Sequence, residues 1–341
     1  MKIRIALAVF FVTIMVQCTI SPRVQAQSNY CIGTLECDIT SLWNATCWGD
    51  LSAGFNCHGV PYEFETICSV MNSLCYLGPV EVPCECGAGS PISFANGNTW
   101  IKETDINLPG LSGGLHLTRR WNSVWPSSET AYQTGIFGPN WRSNFEERVF
   151  VGSDNYLKYA RGDGSFWSFG YNGGVWTVVA PQNAVATLAP GQSYWTLTFG
   201  NGEQRLFDNT SGNLIAILDR NGNTTQLSYN VTGYLSMVTD PAGRTLSFTY
   251  GNQSFPALVT SVTSSAGPSI SYSYDSQGRL TQVTEPDNST FNFQYNAQSL
   301  ITSVTDSQGV VIESHTYDSN GRGLTASRAN GVEAVSFSYP N

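Results

Sequence analysis

The chain has 341 residues, with 16 Lys and Arg against 25 Asp and Glu and a formal net charge of −9. That balance excludes a phosphate-backbone binder, which needs a basic face to displace counterions. Charged residues are only 12% and glycines number 33, which excludes a charged, helix-rich protein and points to a β-rich exported one.

Lys2 and Arg4 precede an apolar run over residues 5–16, and Val24-Gln25-Ala26 offers small residues for cleavage. This is the pattern of a secretory signal over residues 1–26, cut after Ala26. The run is about 12 residues, too short for a comfortable membrane span. Gln17 ahead of Cys18 is too large for the usual lipidation site. Cleavage removes three basic residues and no acid, which takes the charge from −9 to −12. The expected location is therefore secreted or cell-surface.

Residues 27–89 hold Cys31, Cys37, Cys47, Cys57, Cys68, Cys75, Cys84 and Cys86. An even count in a short exported segment implies a disulfide framework, because so small a module has little apolar volume to hold it together. Eight cysteines allow 105 pairings, and the sequence does not choose among them. A metal site built on Cys84, Cys86 and His58 is disfavoured, since zinc modules place two to four residues between paired cysteines. Residues 61–76 fit a short helix, with Phe64, Ile67, Cys68, Met71 and Cys75 on one face.

Gly87-Ala88-Gly89-Ser90-Pro91 is a turn-rich break. Residues 90–150 then carry Asn96-Gly97-Asn98, Thr104-Asp105-Ile106-Asn107-Leu108-Pro109-Gly110, Arg119-Arg120-Trp121-Asn122-Ser123 and Gly135-Ile136-Phe137-Gly138-Pro139-Asn140-Trp141. Residues 151–206 alternate strand-like segments with turns, and Asn201-Gly202 is a strong hairpin signal.

From residue 207 to the end the chain repeats itself. Aromatics recur at Phe207, Tyr229, Tyr250, Tyr274, Tyr295, Tyr317 and Tyr339, separated by 22, 21, 24, 21, 22 and 22 residues. Tyr274-Asp275-Ser276-Gln277-Gly278 and Tyr317-Asp318-Ser319-Asn320-Gly321 show the unit: a strand ending on an aromatic, an acidic turn residue and a glycine. A fixed period means that each unit is one supersecondary element unable to bury its apolar face alone. Within the units apolar and polar residues alternate, as in Ser271-Tyr272-Ser273-Tyr274, which puts aromatics on one face of a strand and hydroxyls on the other. Second turns at Asp240-Pro241-Ala242-Gly243 and Asp306-Ser307-Gln308-Gly309 make each period a β-hairpin.

In these motifs the chain resembles the RHS/YD-repeat family: an opening domain over residues 90–150, divergent units over 151–206, and YD repeats over 207–341. The resemblance implies a mostly β fold, a curled antiparallel sheet of hairpin repeats forming part of a hollow shell, behind the disulfide-rich module. It also implies a scaffold, often one that encloses a toxin at the cell surface. Expected partners are further repeats or an enclosed toxin domain, or a surface glycan or protein; nucleic acid is excluded. In such proteins a variable toxin follows the repeats, whereas this chain stops at Tyr339-Pro340-Asn341 as another unit begins. That favours either a truncated frame or a piece that docks onto a partner strand.

Other motifs have plainer readings. Arg161-Gly162-Asp163 is the sequence of an adhesion site, but Asp163-Gly164 is a turn signal. Asp219-Arg220-Asn221-Gly222-Asn223 resembles the start of a calcium loop without its later Glu. Asp240-Pro241 lacks the second carboxylate that self-cleavage in this family requires. His116 and His315 sit in alternating strands. No nucleophile elbow, zincin motif or phosphate loop occurs. The expectation is a non-enzymatic protein without cofactor or metal. Six Asn-x-Ser/Thr sequences, Asn44 and Asn209 the first, matter only in a glycosylating source. An adhesin or carbohydrate-binding module is the alternative, marked by aromatics clustered on an outward surface. A second alternative is the amino-terminal part of a longer toxin.

Overall fold

The computed structural model describes residues 92–93, 95–328 and 331–339, together with the short strands Gly49–Asp50, Gly54–Cys57, Val60–Tyr62 and Gly87–Ala88. Pro61 and Tyr62 depart from the helix expected over residues 61–76. They belong to a strand paired with Gly54–Cys57, as the extended preference of the residue before a proline favours. The rest of that stretch lies outside the described residues.

Two sheets build the body. The smaller one joins β1 (Trp100–Leu108), β2 (Leu115–Asn122) and β3 (Trp141–Ser143), with β2 in the centre. A bulge between Thr104 and Ile106 gives β1 an extra residue, Asp105. The larger sheet has 19 strands, from β4 (Arg148–Val151) to β22 (Val332–Ser336), each hydrogen-bonded to the strand before it. Strands before and after Phe207 therefore form one uninterrupted antiparallel meander.

Period-two patterning decides which side of the meander is buried. In Ser269–Tyr274, Ile270 and Tyr272 are buried while Ser269, Ser271 and Ser273 are exposed. The exposed face is hydroxyl-rich and cross-linked by side chains, such as Ser314 with Ser327 at 2.7 Å and Thr316 with Thr325 at 2.6 Å. Strand twist coils the ribbon, and the coil closes early. The Val149 N–H donates to the Gly212 carbonyl at 2.9 Å, and the Leu214 N–H donates to Glu147 at 3.2 Å. The first strand of the sheet thereby covers its open edge, which would otherwise invite pairing with another chain.

The smaller sheet and its loops lie against the inner face of the later strands. Phe137 meets Tyr272 at 4.8 Å between ring centroids, Trp141 meets Phe293 at 5.4 Å, and Trp121 meets Tyr317 at 6.3 Å. One continuous core runs from Ile101 to Val304 through both sheets. The interior beside these strands is thus occupied by the opening module rather than hollow.

Candidate functional site: the occupied inner face

The repeat aromatic is tyrosine for a polar reason. Tyr229, Tyr250, Tyr274 and Tyr295 each donate their hydroxyl to a backbone carbonyl 15 residues earlier, at Leu214, Leu235, Val259 and Leu280, over 2.7–2.8 Å. Tyr317 and Tyr339 do the same to Ile301 and Gly323, 16 residues earlier. Each bond ties the end of one strand back to the start of the strand before it, with Val259 two residues ahead of its strand Ser261–Ser264. Burial pushes these phenols up, Tyr339 to about 12, so they remain donors at any physiological pH.

The acidic turn residue closes the next few residues onto itself. Asp275 Oδ1 accepts the N–H groups of Gln277 and Arg279 while Oδ2 accepts Arg279 Nε at 2.6 Å. Asp318 repeats the pattern with Asn320 and Arg322. Partial burial works against both carboxylates, yet these donors hold them below their usual range. Gly278 and Gly321 supply the positive φ, +74° and +78°, that the turn needs.

Three of these turns receive the opening module. Arg244, paired with Asp240 at 2.6 Å, donates to the carbonyls of Pro109 and Leu108 at 3.0 and 3.2 Å. Gly138 lies on Gly278, so that a Cβ at position 138 would stand 2.6 Å from the Gly278 carbonyl oxygen. The Gly323 N–H donates to Gly97 at 2.8 Å. Between the turns, the Val259 N–H donates to the Ile136 carbonyl, also at 2.8 Å. The motif glycines and prolines of residues 90–150 are therefore points of contact with successive repeats.

A charged group lies at the centre of the seam. Arg119 and Asp105 are almost wholly buried and paired through two hydrogen bonds, Nη2 to Oδ1 at 2.7 Å and Nε to Oδ2. Tyr272 of the repeats donates to the same Oδ2 at 2.6 Å. The guanidinium stands 4.8 Å from the Trp141 ring centroid and 5.5 Å from that of Tyr272. Burial works against the charge on Arg119, but Asp105 outweighs it and the guanidinium stays protonated. Beside this pair lies Glu103, whose carboxyl burial pushes up to about 7; Arg119 opposes the rise, while Asp105, Glu313 and Glu285 add to it. Glu313 also stands 3.4 Å from the buried His315 and 3.2 Å from Arg328.

The carboxylates of the other motifs are engaged in turns. Asp163 accepts from the Ser165 N–H and hydroxyl and pairs with Arg161 at 2.9 Å. Asp219 accepts from the Asn221 and Asn223 N–H groups. Of the disulfide candidates, Cys57 ends a described strand; Cys31, Cys37, Cys47, Cys68, Cys75, Cys84 and Cys86 lie outside the described residues, as do the signal and its cleavage position. Glu103, Glu285 and Glu313 were missed in the sequence, where they stand in alternating strands or turns without a motif.

Two family models match the chain: Domain of unknown function (DUF6531) over residues 89–169, and Teneurin YD-shell over residues 192–322. No curated protein matches it. Among solved structures, the crystal structure of TcdB2-TccC3-Cdc42 is 13% identical over 66% of this chain and 15% of its own, with a TM-score of 0.29. The Photorhabdus luminescens Tc holotoxin pore is 12% identical over 67% and 14%, with a TM-score of 0.30. A porin-like protein from Bacteroides uniformis is 13% identical over 51% and 89%, with a TM-score of 0.26. The chain spans about 15% of the length of the Tc toxin chains it matches. These superpositions are loose, and the repeat itself agrees with the YD-shell family over its matched residues. The tyrosine-to-carbonyl ladder, the acidic turns and the matched segment together make the chain an RHS/YD-repeat protein.

Proposed function

We propose that the chain is the starting segment of a YD-type shell, a scaffold whose opening module fills the first part of the coil so that later coils enclose polypeptide. One observation carries this reading: the β1–β3 sheet sits on the inner face, with Phe137, Trp141 and Arg119 against Tyr272 and Phe293. A wall with its own lining sealed at one end suits containment better than turnover. The reading includes export with cleavage after Ala26, a disulfide-stapled module over residues 27–89, and an enclosed polypeptide as partner. The chemistry of any such cargo then belongs to the cargo rather than to this scaffold.

The test is protease digestion of the natural product isolated from its source. A shell leaves a repeat-bounded core that retains polypeptide from outside the sheet, released only on unfolding. Complete digestion of everything except the sheet contradicts containment. The adhesin alternative asks for exposed aromatics, and among the described residues the large exposed ones are Tyr156, Tyr171 and Tyr194.

A further inference from the structure

Acidic groups outnumber their cations where β1 meets the later repeats. Glu103 and Asp105 stand on β1, Glu285 opens the turn after the strand Leu280–Thr284, and Glu313 lies in the strand Val311–Tyr317. All three of the others raise the negative potential at Glu103. The Arg119 guanidinium lies opposite Glu103 in the register of β1 and β2, but its two hydrogen bonds go to Asp105. Arg328 reaches Glu313 at 3.2 Å with its side chain 48% exposed. Lys102 is exposed and, one residue along the strand, points to the other face. Asp287, in the turn of Glu285, adds further negative charge there.

His315 lies two residues after Glu313, on the same face of its strand. Its side chain is fully buried, Nε2 stands 3.4 Å from Glu313 Oε2, and neither ring nitrogen makes a hydrogen bond. Buried polar groups ordinarily find such a partner. This imidazole has a carboxylate at ion-pair distance, and a second ring proton turns the contact into an ion pair. Arg328, opposite Glu313 in the register, shares that carboxylate, and the Tyr317 ring lies 6.4 Å from the imidazole. Among the described residues no three of these side chains converge as metal ligands.

Protons at both positions act in one direction. A protonated Glu103 adds no charge among Asp105, Glu285 and Glu313; an ionised one adds another negative charge to a half-buried seam. Burial is the main cause that pushes its carboxyl up to about 7. The seated arrangement therefore gains from Glu103 fully below the ordinary value of 4.5, and loses that gain as pH rises through 7. Lifting β1 off the repeats returns Glu103 to water and separates it from Glu285 and Glu313, which relieves the repulsion. Protonated His315 neutralises part of the charge on Glu313, so acid tightens the seam there as well.

We propose that Glu103, Glu313 and His315 form a proton-controlled latch, which seats the opening module on the repeats in acid and lets β1 and β2 lift away as the medium turns neutral to alkaline. The inference concerns the seam itself and holds whatever the coil encloses. Its test is hydrogen exchange of the full chain, read by mass spectrometry from about pH 5 to about pH 8 and corrected for the intrinsic effect of pH on exchange. Residues 100–122 are expected to exchange about tenfold faster at the upper end, relative to the early strands over residues 157–199. Glu103→Gln, which mimics the protonated carboxyl, removes most of that acceleration, and adding His315→Gln removes the rest. Glu203→Gln, at a carboxylate outside the seam with 44% of its side chain exposed, leaves it intact. Equal acceleration of both segments means that the whole chain loosens, and overturns the proposal. So does the absence of acceleration. If the double variant does not fold, Glu103→Gln decides alone, and undiminished acceleration in it overturns the latch.

Discussion

The early strands, residues 148–208, and the YD units after them share one hydrogen-bond ladder, but their aromatics do different work. In the early strands the inner aromatics meet each other: Tyr159 lies 5.7–6.1 Å from Trp167, Phe199 and Phe207. In the later units they meet the opening module, as Tyr272 meets Phe137 and Phe293 meets Trp141. The early strand-end tyrosines are exposed, whereas the later ones staple one unit to the next. The regular period of the sequence therefore follows a repeated polar bond, not the sheet, which continues without it.

Five substitutions break or sharpen this comparison. Arg119→Met removes the partner of a buried carboxylate at the seam, and denaturant unfolding is expected to lose about 3–5 kcal/mol. Gly138→Ala pushes a methyl toward the Gly278 carbonyl at a φ of +99°, for an expected loss of about 1–3 kcal/mol. Glu103→Gln addresses pH. The folded pKa of about 7 lies above the ordinary value of 4.5, so the folded state holds its proton more tightly. Its contribution to stability is complete below pH 4.5 and is lost as pH rises through 7. Stability measured across that window is expected to fall by about 1–2 kcal/mol less in the variant, allowing for screening at a half-open position. Tyr295→Phe removes one staple and is expected to lower stability by about 1 kcal/mol. Tyr171→Phe, at an exposed early strand end, is expected to leave the unfolding midpoint unchanged, and an equal loss at both positions would erase the contrast.

The hairpin fold was legible because both of its signals are local. Alternation in Ser271-Tyr272-Ser273-Tyr274 and the Asp275-to-Gly278 turn need only neighbouring residues. The staple was half legible: a recurring tyrosine where phenylalanine would fill the same space, with Phe207 the exception, signals a hydroxyl at work. Its acceptor was not legible, since a carbonyl 15 residues away carries no side-chain mark. The seam was hidden for a different reason. Tyr272 and Asp105 are 167 residues apart, and no period links them. The motifs of residues 90–150 were visible as motifs, but their role in gripping the turns at Asp240, Gly278 and Gly323 emerges only when the chain has coiled around them. Glu103 looked like an ordinary strand residue because its environment is made by burial under the coiled chain and by Arg119 and Asp105, with smaller contributions from Glu313 and Glu285 of distant units.

The central claim is that the opening module lies on the inner face of the repeats. A double-mutant cycle between Asp105→Asn and Tyr272→Phe tests it most directly, since the Tyr272 hydroxyl donates to Asp105 at 2.6 Å. Coupling of about 1 kcal/mol or more in denaturant unfolding is the expected result. Losses that add to within about 0.3 kcal/mol would mean that the two residues do not touch, and would contradict the account.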